Sequence, residues 1–332
     1  MTPRPVAVYT EIDDTDLTAG VAMLEQHGFE VRTLNTRDAS EIVADAADAQ
    51  VLLVGYADVT REMIEAMPKL RLVALMSMGF NNVDIEAADE HGVWVTNVPG
   101  AATEEVATHA LALLLAVARQ FDFYTRSATA VPDEWNSRAV DAPPRLSEKT
   151  LGIVGLGKIG RKLAEIARPL FGEVIGYDPL LPENEQTARM LDELGVRRTG
   201  LDEVRRASDV LSLHVPLTPE TDQLVDAAFI DGMPAGAILV NVSRGALIDP
   251  QAVASAVRSG RLFGAGLDVL EVEPPEAGHP LLDVDGVVLT PHVAYYSERT
   301  DAEYVRIQAQ NAVSLLTEGR PDSPVNSPTL TL

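Results

Sequence analysis

The run LGIVGLGKIGRKLAEIARPLFGEVIGYDP, residues 151–179, holds an apolar strand candidate, a glycine-rich turn, a helical pattern and a second apolar strand closed by an acid. Leu151–Val154 leads into Gly155-Leu156-Gly157-Lys158-Ile159-Gly160, Arg161–Ala167 leads out, and Val174–Tyr177 ends at Asp178. A G-x-G-x-x-G turn is weak alone, but in this setting it reads as a dinucleotide site. Gly155 gives the tight turn, Gly157 lets a pyrophosphate approach the backbone, and Gly160 lets the helix pack on the strand. N–H groups at the helix start then favour the phosphates. Asp178 is placed to accept from ribose hydroxyls. Pro179 and Leu180 follow it, with no Arg or Lys to neutralise a 2′-phosphate, so NAD is expected rather than NADP.

The same grammar extends in both directions. Downstream, Val210–His214, Ile238–Asn241, Ala265–Val269 and Val287–Thr290 read as strands; upstream, so do Val6–Tyr9, Val31–Leu34, Val51–Gly55, Leu72–Met76 and Val93–Thr96. Helical segments such as Leu17–His27 and Ala39–Asp48 separate them. Short, nearly all apolar runs suit parallel sheets covered on both faces. The expected class is therefore α/β, with two doubly wound parallel-sheet domains, the first flavodoxin-like and the second a Rossmann domain. Between them lies Thr103–Gln120, with Thr103 as N-cap, Glu104 and Glu105 at the positive end of the dipole, and apolar residues nearly all round. Such a helix should be buried between layers. A Pro-containing loop, Thr129–Lys149, follows it. The last helix candidate, Ser297–Glu318, is expected to cross back to the first domain, giving residues 1–100 with 296–332 as one domain and 101–295 as the other. The Pro- and Ser-rich tail from Gly319 should cap the surface.

Composition narrows the function. A length of 332 residues suits two domains, and 46% apolar with 23% charged residues describes a globular chain. Fifty acids against 26 bases leave a net charge of −24, which argues against nucleic-acid and anionic-membrane partners. No cysteine is present, so disulfides, thiolate nucleophiles and Cys-bound zinc are excluded, and no metal site is expected. The start, MTPRPVAVYTEIDD, has no basic segment followed by a long apolar one, and Val106–Ala118 is too short to span a bilayer. A cytoplasmic location is expected.

Hydride exchange with a dinucleotide needs a proton carrier and a substrate anchor. Histidine suits the first task, and six are present. His27 and His91 lie in Gly-flanked turns, His109 lies in the buried helix, and His279 precedes a proline. His214 ends a strand and could line the cofactor cleft; His292 follows the last strand, at the carboxyl edge where α/β proteins bind ligands. Arg244, in NVSRG, and Glu273, in LDVLEVEPP, also follow strands of the second series. Three strands thus bring a cation, an acid and an imidazole to one rim.

With these motifs in order, the chain resembles the NAD-dependent D-isomer-specific 2-hydroxyacid dehydrogenases over nearly its whole length. GLGKIG with YDP, SLHVPLT, NVSRGALID, GAGLDVLEVEPP and TPHVA follow the family's sequence and approximate spacing. The resemblance implies that Arg244 is the catalytic arginine, Glu273 the acid and His292 the acid–base. Glu271 is the near decoy, set aside because the family's acid stands directly before proline. An arginine fork can hold a carboxylate and a carbonyl oxygen together. A carboxylate beside His292 would favour its imidazolium form. The resemblance further implies that Lys158 and Ile159 offer backbone to the pyrophosphate, and that Val215, Val242, Ser243 and Asp268 line the nicotinamide half. SMGFNNVD matches the family's substrate loop, with the N–H groups of Met78 and Gly79 on the substrate carboxylate. Homodimerisation through the cofactor domain and the Thr129–Lys149 loop is implied as well.

Departures within the family bear on the substrate. Asn81 stands where many relatives have Asp, a form also found in D-lactate dehydrogenases, yet Ala101 replaces the tyrosine of that subgroup. Ala102 falls where phosphoglycerate dehydrogenases tend to have asparagine, and no further regulatory domain is expected. Thr108 replaces a common acid, and Glu273 in place of glutamine argues against formate dehydrogenases. NVPGAATEEVA and HVAYYSE look most like the branch that includes the C-terminal binding proteins. A small anionic 2-keto acid such as glyoxylate or hydroxypyruvate is the expected substrate. The alternatives are 3-phosphoglycerate or D-lactate, and, from another class, an NADH-sensing corepressor-like binding module.

Overall fold

Every apolar run singled out above forms a parallel strand in the computed structural model, which describes residues 4–11, 15–130 and 142–328. The chain divides into two units, Met1–Ala102 with Tyr296–Leu332, and Thr103–Tyr295. The first begins β1 (Val6–Tyr9), α1 (Thr18–Gln26), β2 (Glu30–Thr33), α2 (Ala39–Ala46), β3 (Val51–Val54), α3 (Arg61–Ala66), β4 (Leu72–Leu75), α4 (Ile85–Glu90) and β5 (Trp94–Thr96). Its sheet runs β2-β1-β3-β4-β5, all parallel, with the switch of direction between β1 and β3. β1, β3 and β4 are buried throughout, as an apolar run covered on both faces requires. β2 is half exposed because it is an edge, which corrects the expectation of uniform burial. Short polar side chains start the helices: Asp38, Thr60 and Asp84 each accept from N–H groups of the first turn.

The second unit opens with α5 (Thr103–Ala118) and α6 (Phe121–Ala130). It continues through β6 (Thr150–Val154), α7 (Lys158–Ala167), β7 (Glu173–Tyr177), α8 (Glu185–Glu193), β8 (Arg197–Arg198), α9 (Leu201–Ala207), β9 (Val210–Leu213), α10 (Ala227–Asp231), β10 (Ala237–Asn241), α11 (Pro250–Arg258), β11 (Leu262–Leu267) and β12 (Val287–Leu289). The sheet order β12-β11-β10-β9-β6-β7-β8 is the doubly wound Rossmann arrangement with its switch point between β6 and β9. α5 lies on β10 and β11 and against α7, with Val106, Ala110, Leu113, Leu114 and Val117 buried. Gly264 and Gly266 permit that approach, since a Cβ there would stand 2.7 Å from Val117 and 2.8 Å from Leu113. β11 accordingly starts three residues earlier than its apolar signal. β8 gave no signal, being two arginines on an edge, and α6 was not expected. Of the loop Thr129–Lys149, residues 131–141 lie outside the described residues.

The chain then returns to the first unit with α12 (Thr300–Glu318), which packs on α1 and β4 and ends at Gly319 in the left-handed conformation, φ +78°. Beyond it the tail lines the free edge of β5: Val325 N–H donates to Val95 O at 2.9 Å, and the Asn326 side chain accepts from Val95 N–H at 2.8 Å. An exposed edge strand is thereby covered. Among the described residues no single helix is long and apolar enough to cross a membrane.

Candidate active site

The glycine-rich turn has the shape a pyrophosphate needs. Gly155 has φ +98°, and a Cβ on it would lie 2.4 Å from His214 O; a Cβ on Gly160 would lie 2.0 Å from Gly155 O. Around Gly157 a Cβ would meet nothing within 4 Å, and this residue caps α7 with no side chain bonded to the first turn. Open space beside free helix-start amides, at exposed Gly157 and Lys158 and half-buried Ile159, is what an anionic linkage fits. Asp178 follows β7 and accepts from Leu156 N–H and Leu180 N–H, each at 2.9 Å, so the acid is fixed over the turn. Arg198, overlooked at the sequence level because it lies on β8, donates to Asp178 O at 3.0 Å and Leu181 O at 2.8 Å. A cation thus stands beside the ribose acid in space, committed to the loop's carbonyls.

The rim beyond β10, β11 and β12 holds the acid–base residues. Asn241 ends β10 and builds the turn after it, accepting from Ser243 N–H at 3.0 Å and donating to Arg244 O at 2.8 Å. An asparagine bonding two residues ahead is a local turn signal that sequence reading passed over. Ser243 donates its hydroxyl to Leu213 O at 2.9 Å, tying this turn to the end of β9; Val242 is buried, and Val215 packs on the core below. Arg244 donates to Ser243 O at 2.7 Å. Burial lowers its pKa while the nearby Glu273 carboxylate opposes the shift.

Glu273 and His292 meet directly. His292 Nδ1 lies 2.6 Å from Glu273 Oε2, and Glu273 Oε1 accepts from Leu270 N–H at 2.8 Å. Partial burial pushes the Glu273 carboxyl up, but the hydrogen bonds from His292 and Leu270, with the charges of His292 and Arg244, hold it net below the usual carboxylate range. An ionised carboxylate can only accept, so Nδ1 carries a proton and Nε2 is the atom left to exchange one.

Asp268, which the family resemblance sets beside the nicotinamide, is 1% exposed and directs its carboxylate at the segment carrying His292. It accepts from Thr290 Oγ1 at 2.5 Å, Val293 N–H at 3.0 Å and Ala294 N–H at 2.9 Å, while its own carbonyl accepts from His292 N–H at 2.8 Å. With the Thr290 proton engaged, His109 Nε2 is the donor across 2.9 Å to Thr290 Oγ1. The decoy Glu271 has its own imidazole, His279, at 3.0 Å. His214 is not an acid–base candidate. Part of the residue reaches solvent, but its Nδ1 is sealed with no partner among the described residues, Nε2 meets Ser212 Oγ at 2.8 Å, and burial lowers its pKa to about 4.

Met78 and Gly79 lie in the first unit, after β4. Asn97 Nδ2 donates to Met78 O at 2.6 Å and Ser77 Oγ to Gly79 O at 2.7 Å. Their carbonyls are tied down, whereas their N–H groups have no acceptor among the described residues.

A phosphate-ready turn and an imidazole–carboxylate pair on the carboxyl rim of one doubly wound sheet define a nucleotide-binding α/β protein. Comparison makes the class specific. The model for the D-isomer specific 2-hydroxyacid dehydrogenase, NAD binding domain, matches residues 111–294. A glyoxylate reductase of Korarchaeum cryptofilum is 36% identical over 295 residues, 86% of this chain and 85% of that protein. A D-3-phosphoglycerate dehydrogenase of Methanocaldococcus jannaschii is 35% identical over 313 residues, 93% of this chain; the chain spans 58% of that relative's length. In three dimensions the holo D-mandelate dehydrogenase of Rhodotorula graminis superposes with a TM-score of 0.88 at 28% identity, over 99% of each chain. The chain belongs to the D-isomer specific 2-hydroxyacid dehydrogenase family, and its second unit is an NAD-binding domain.

Proposed function

We propose that this protein interconverts a small, unphosphorylated 2-keto acid and its D-2-hydroxy acid with NAD(H), glyoxylate and hydroxypyruvate being the preferred substrates. The observation that carries the reading is the 2.6 Å bond between His292 and an ionised Glu273. NADH, held by the glycine-rich turn and Asp178, would supply the hydride that reduces the carbonyl carbon, and the 2-hydroxy acid would be completed by a proton on the oxygen. His292 delivers that proton from Nε2, and in oxidation the neutral ring takes it back. Glu273 holds the ring by Nδ1 and balances the imidazolium charge. Arg244 presents its fork to the substrate carboxylate and carbonyl oxygen, stabilising the charge that develops there. The free N–H groups of Met78 and Gly79 bind the carboxylate. Asp178 accepts from the ribose, and the absence of a free cation next to it in sequence favours NAD over NADP. The protein is proposed to act in the cytoplasm as a homodimer.

The test is NADH oxidation across glyoxylate, hydroxypyruvate, pyruvate, 3-phosphohydroxypyruvate and bulkier 2-keto acids. Turnover on the first two is expected, with His292→Ala slower by about 10²–10⁴-fold at unchanged NADH affinity. A preference for the phosphorylated acid would move the protein to the phosphoglycerate branch. No turnover on any of them would favour a dinucleotide-gated binding protein.

A further inference from the structure

The tail after α12 covers the edge of β5, but one of its residues reaches further. Ser323 is gripped by α12: Asn311 Nδ2 donates to Ser323 Oγ at 2.9 Å, and Asn311 Oδ1 accepts from Ser323 N–H at 2.9 Å. The Ser323 hydroxyl donates in turn to Asn97 O at 2.7 Å. Asn97 is the first residue beyond β5, and its side chain donates to Met78 O at 2.6 Å. Three consecutive side-chain bonds therefore run from a helix through the tail to the loop with the two unpaired amides. All lie in one unit.

The order of this chain has a physical consequence. A carboxylate is bound by two adjacent N–H groups only if their peptide planes face the same way, and a plane is fixed by holding its carbonyl. Asn97 Nδ2 holds the Met78 carbonyl and so aims the Gly79 N–H across that peptide; the Met78 N–H shares its peptide with the Ser77 carbonyl, which accepts at 3.0 Å from Val98 N–H, in the same peptide as the Asn97 carbonyl. The loop contains Gly79 between Met78 and Phe80, and glycine alone would leave it conformationally free. Asn97 is fixed at its own backbone by Ser323, whose main chain cannot drift because both its N–H and its hydroxyl meet Asn311. α12 is rigidly seated at this level, since Gln308, one turn before Asn311, donates to Val54 O at 3.2 Å and Ala74 O at 2.7 Å at the ends of β3 and β4.

We propose that Ser323, acting through Asn97, is a positioning residue for the carboxylate-binding amides of Met78 and Gly79, so that the C-terminal segment sets the affinity for the 2-keto acid. The inference rests on the proposed function for the identity of the ligand, but the link between tail and loop stands on the hydrogen bonds alone.

Two readouts on the whole 332-residue chain separate them. Ser323→Ala removes the hydroxyl and is expected to raise KM for glyoxylate or hydroxypyruvate about three- to tenfold, with kcat at saturation and NADH affinity unchanged. Ser323→Thr, which keeps the hydroxyl, should restore the KM. Hydrogen exchange measured by mass spectrometry should show faster exchange in the peptide spanning residues 77–82 of Ser323→Ala. Should that variant fold poorly, Asn97→Ala asks the same question, because it removes the donor to Met78 O and leaves the backbone that the tail binds. If the wild-type protein reduces no 2-keto acid but exchange still quickens in the variant, the positioning link stands and the functional reading fails. If the wild type turns over and neither KM nor exchange moves in a folded variant, the inference is overturned.

Discussion

His292 is held at φ +54°, a region that non-glycine residues enter only where surrounding bonds compel it. The compulsion is visible: main-chain and carboxylate oxygens of Asp268 take the N–H groups of residues 292, 293 and 294, and the ring is then turned onto Glu273. Four histidines differ by company rather than by residue type. His292 and His279 meet carboxylates at hydrogen-bond distance, His109 meets a threonine hydroxyl with the Asp268 carboxylate 3.5 Å away, and His214 is sealed with Ser212. His214 gives a prediction for stability against pH. Its pKa falls from 6.5 to about 4 on folding, so below 6.5 the unfolded chain binds a proton that the folded chain refuses. Stability should therefore decline as pH drops from 6.5 towards 4, by roughly 3 kcal/mol in all. Denaturant melts between these limits check it. His214→Gln should flatten the slope, and an identical slope in the variant would refute the assignment.

At the scale of elements, the site is made where strand ends become turns. Gly245, just past Arg244, lies against the backbone after β11: a Cβ there would stand 1.9 Å from the Leu270 carbonyl carbon and 2.2 Å from Glu271 N. Backbone cannot give way as a flexible side chain can. Gly245→Ala is therefore expected to push the Leu270–Glu271 segment away, separating Glu273 from Arg244 and destabilising the unit by about 1–3 kcal/mol. Thermal melting and turnover should fall together, and an active, equally stable variant would show that the two loops do not bear on one another. Strands such as β3, β4, β9 and β10 were legible because an apolar run covered on both faces has no other soluble placement. β8 was illegible for the converse reason. As an edge of two arginines it is held by pairing with β7, which leaves no apolar trace.

For the whole molecule the net charge of −24 opposes the approach of an anionic acid and an anionic cofactor. The proposed binding groups are local: Arg244 and the amides of Met78 and Gly79. Since screening acts over about 8 Å at physiological salt, added salt should weaken the global repulsion more than these contacts. KM for the keto acid should fall modestly as sodium chloride rises from low concentration. A clear rise would mean that the cleft itself draws the substrate in.

What the sequence alone determined was local. Strand, turn, helix and acid from Leu151 to Asp178 identify a dinucleotide fold because backbone geometry and short spacings leave few alternatives. The proposed acid–base residues Glu273 and His292, with Arg244, are legible as three residues following three strands, and Glu273 is separable from Glu271 only by resemblance. Tertiary structure decided who touches whom. The Glu273–His292 bond spans 19 residues and the Ser323–Asn97 bond 226, each made by strands or tails that the sheet order sets side by side. Asp268 shows the difference most sharply. Sequence reading set it inside a strand, Ala265–Val269, whereas β11 ends at Leu267 just before it, and its engagement with Thr290, Val293 and Ala294 follows from β11 and β12 being neighbours. Propensity and spacing act over a few residues, whereas the direction of a carboxylate is fixed by whichever donors the packed sheet brings within 3 Å of it.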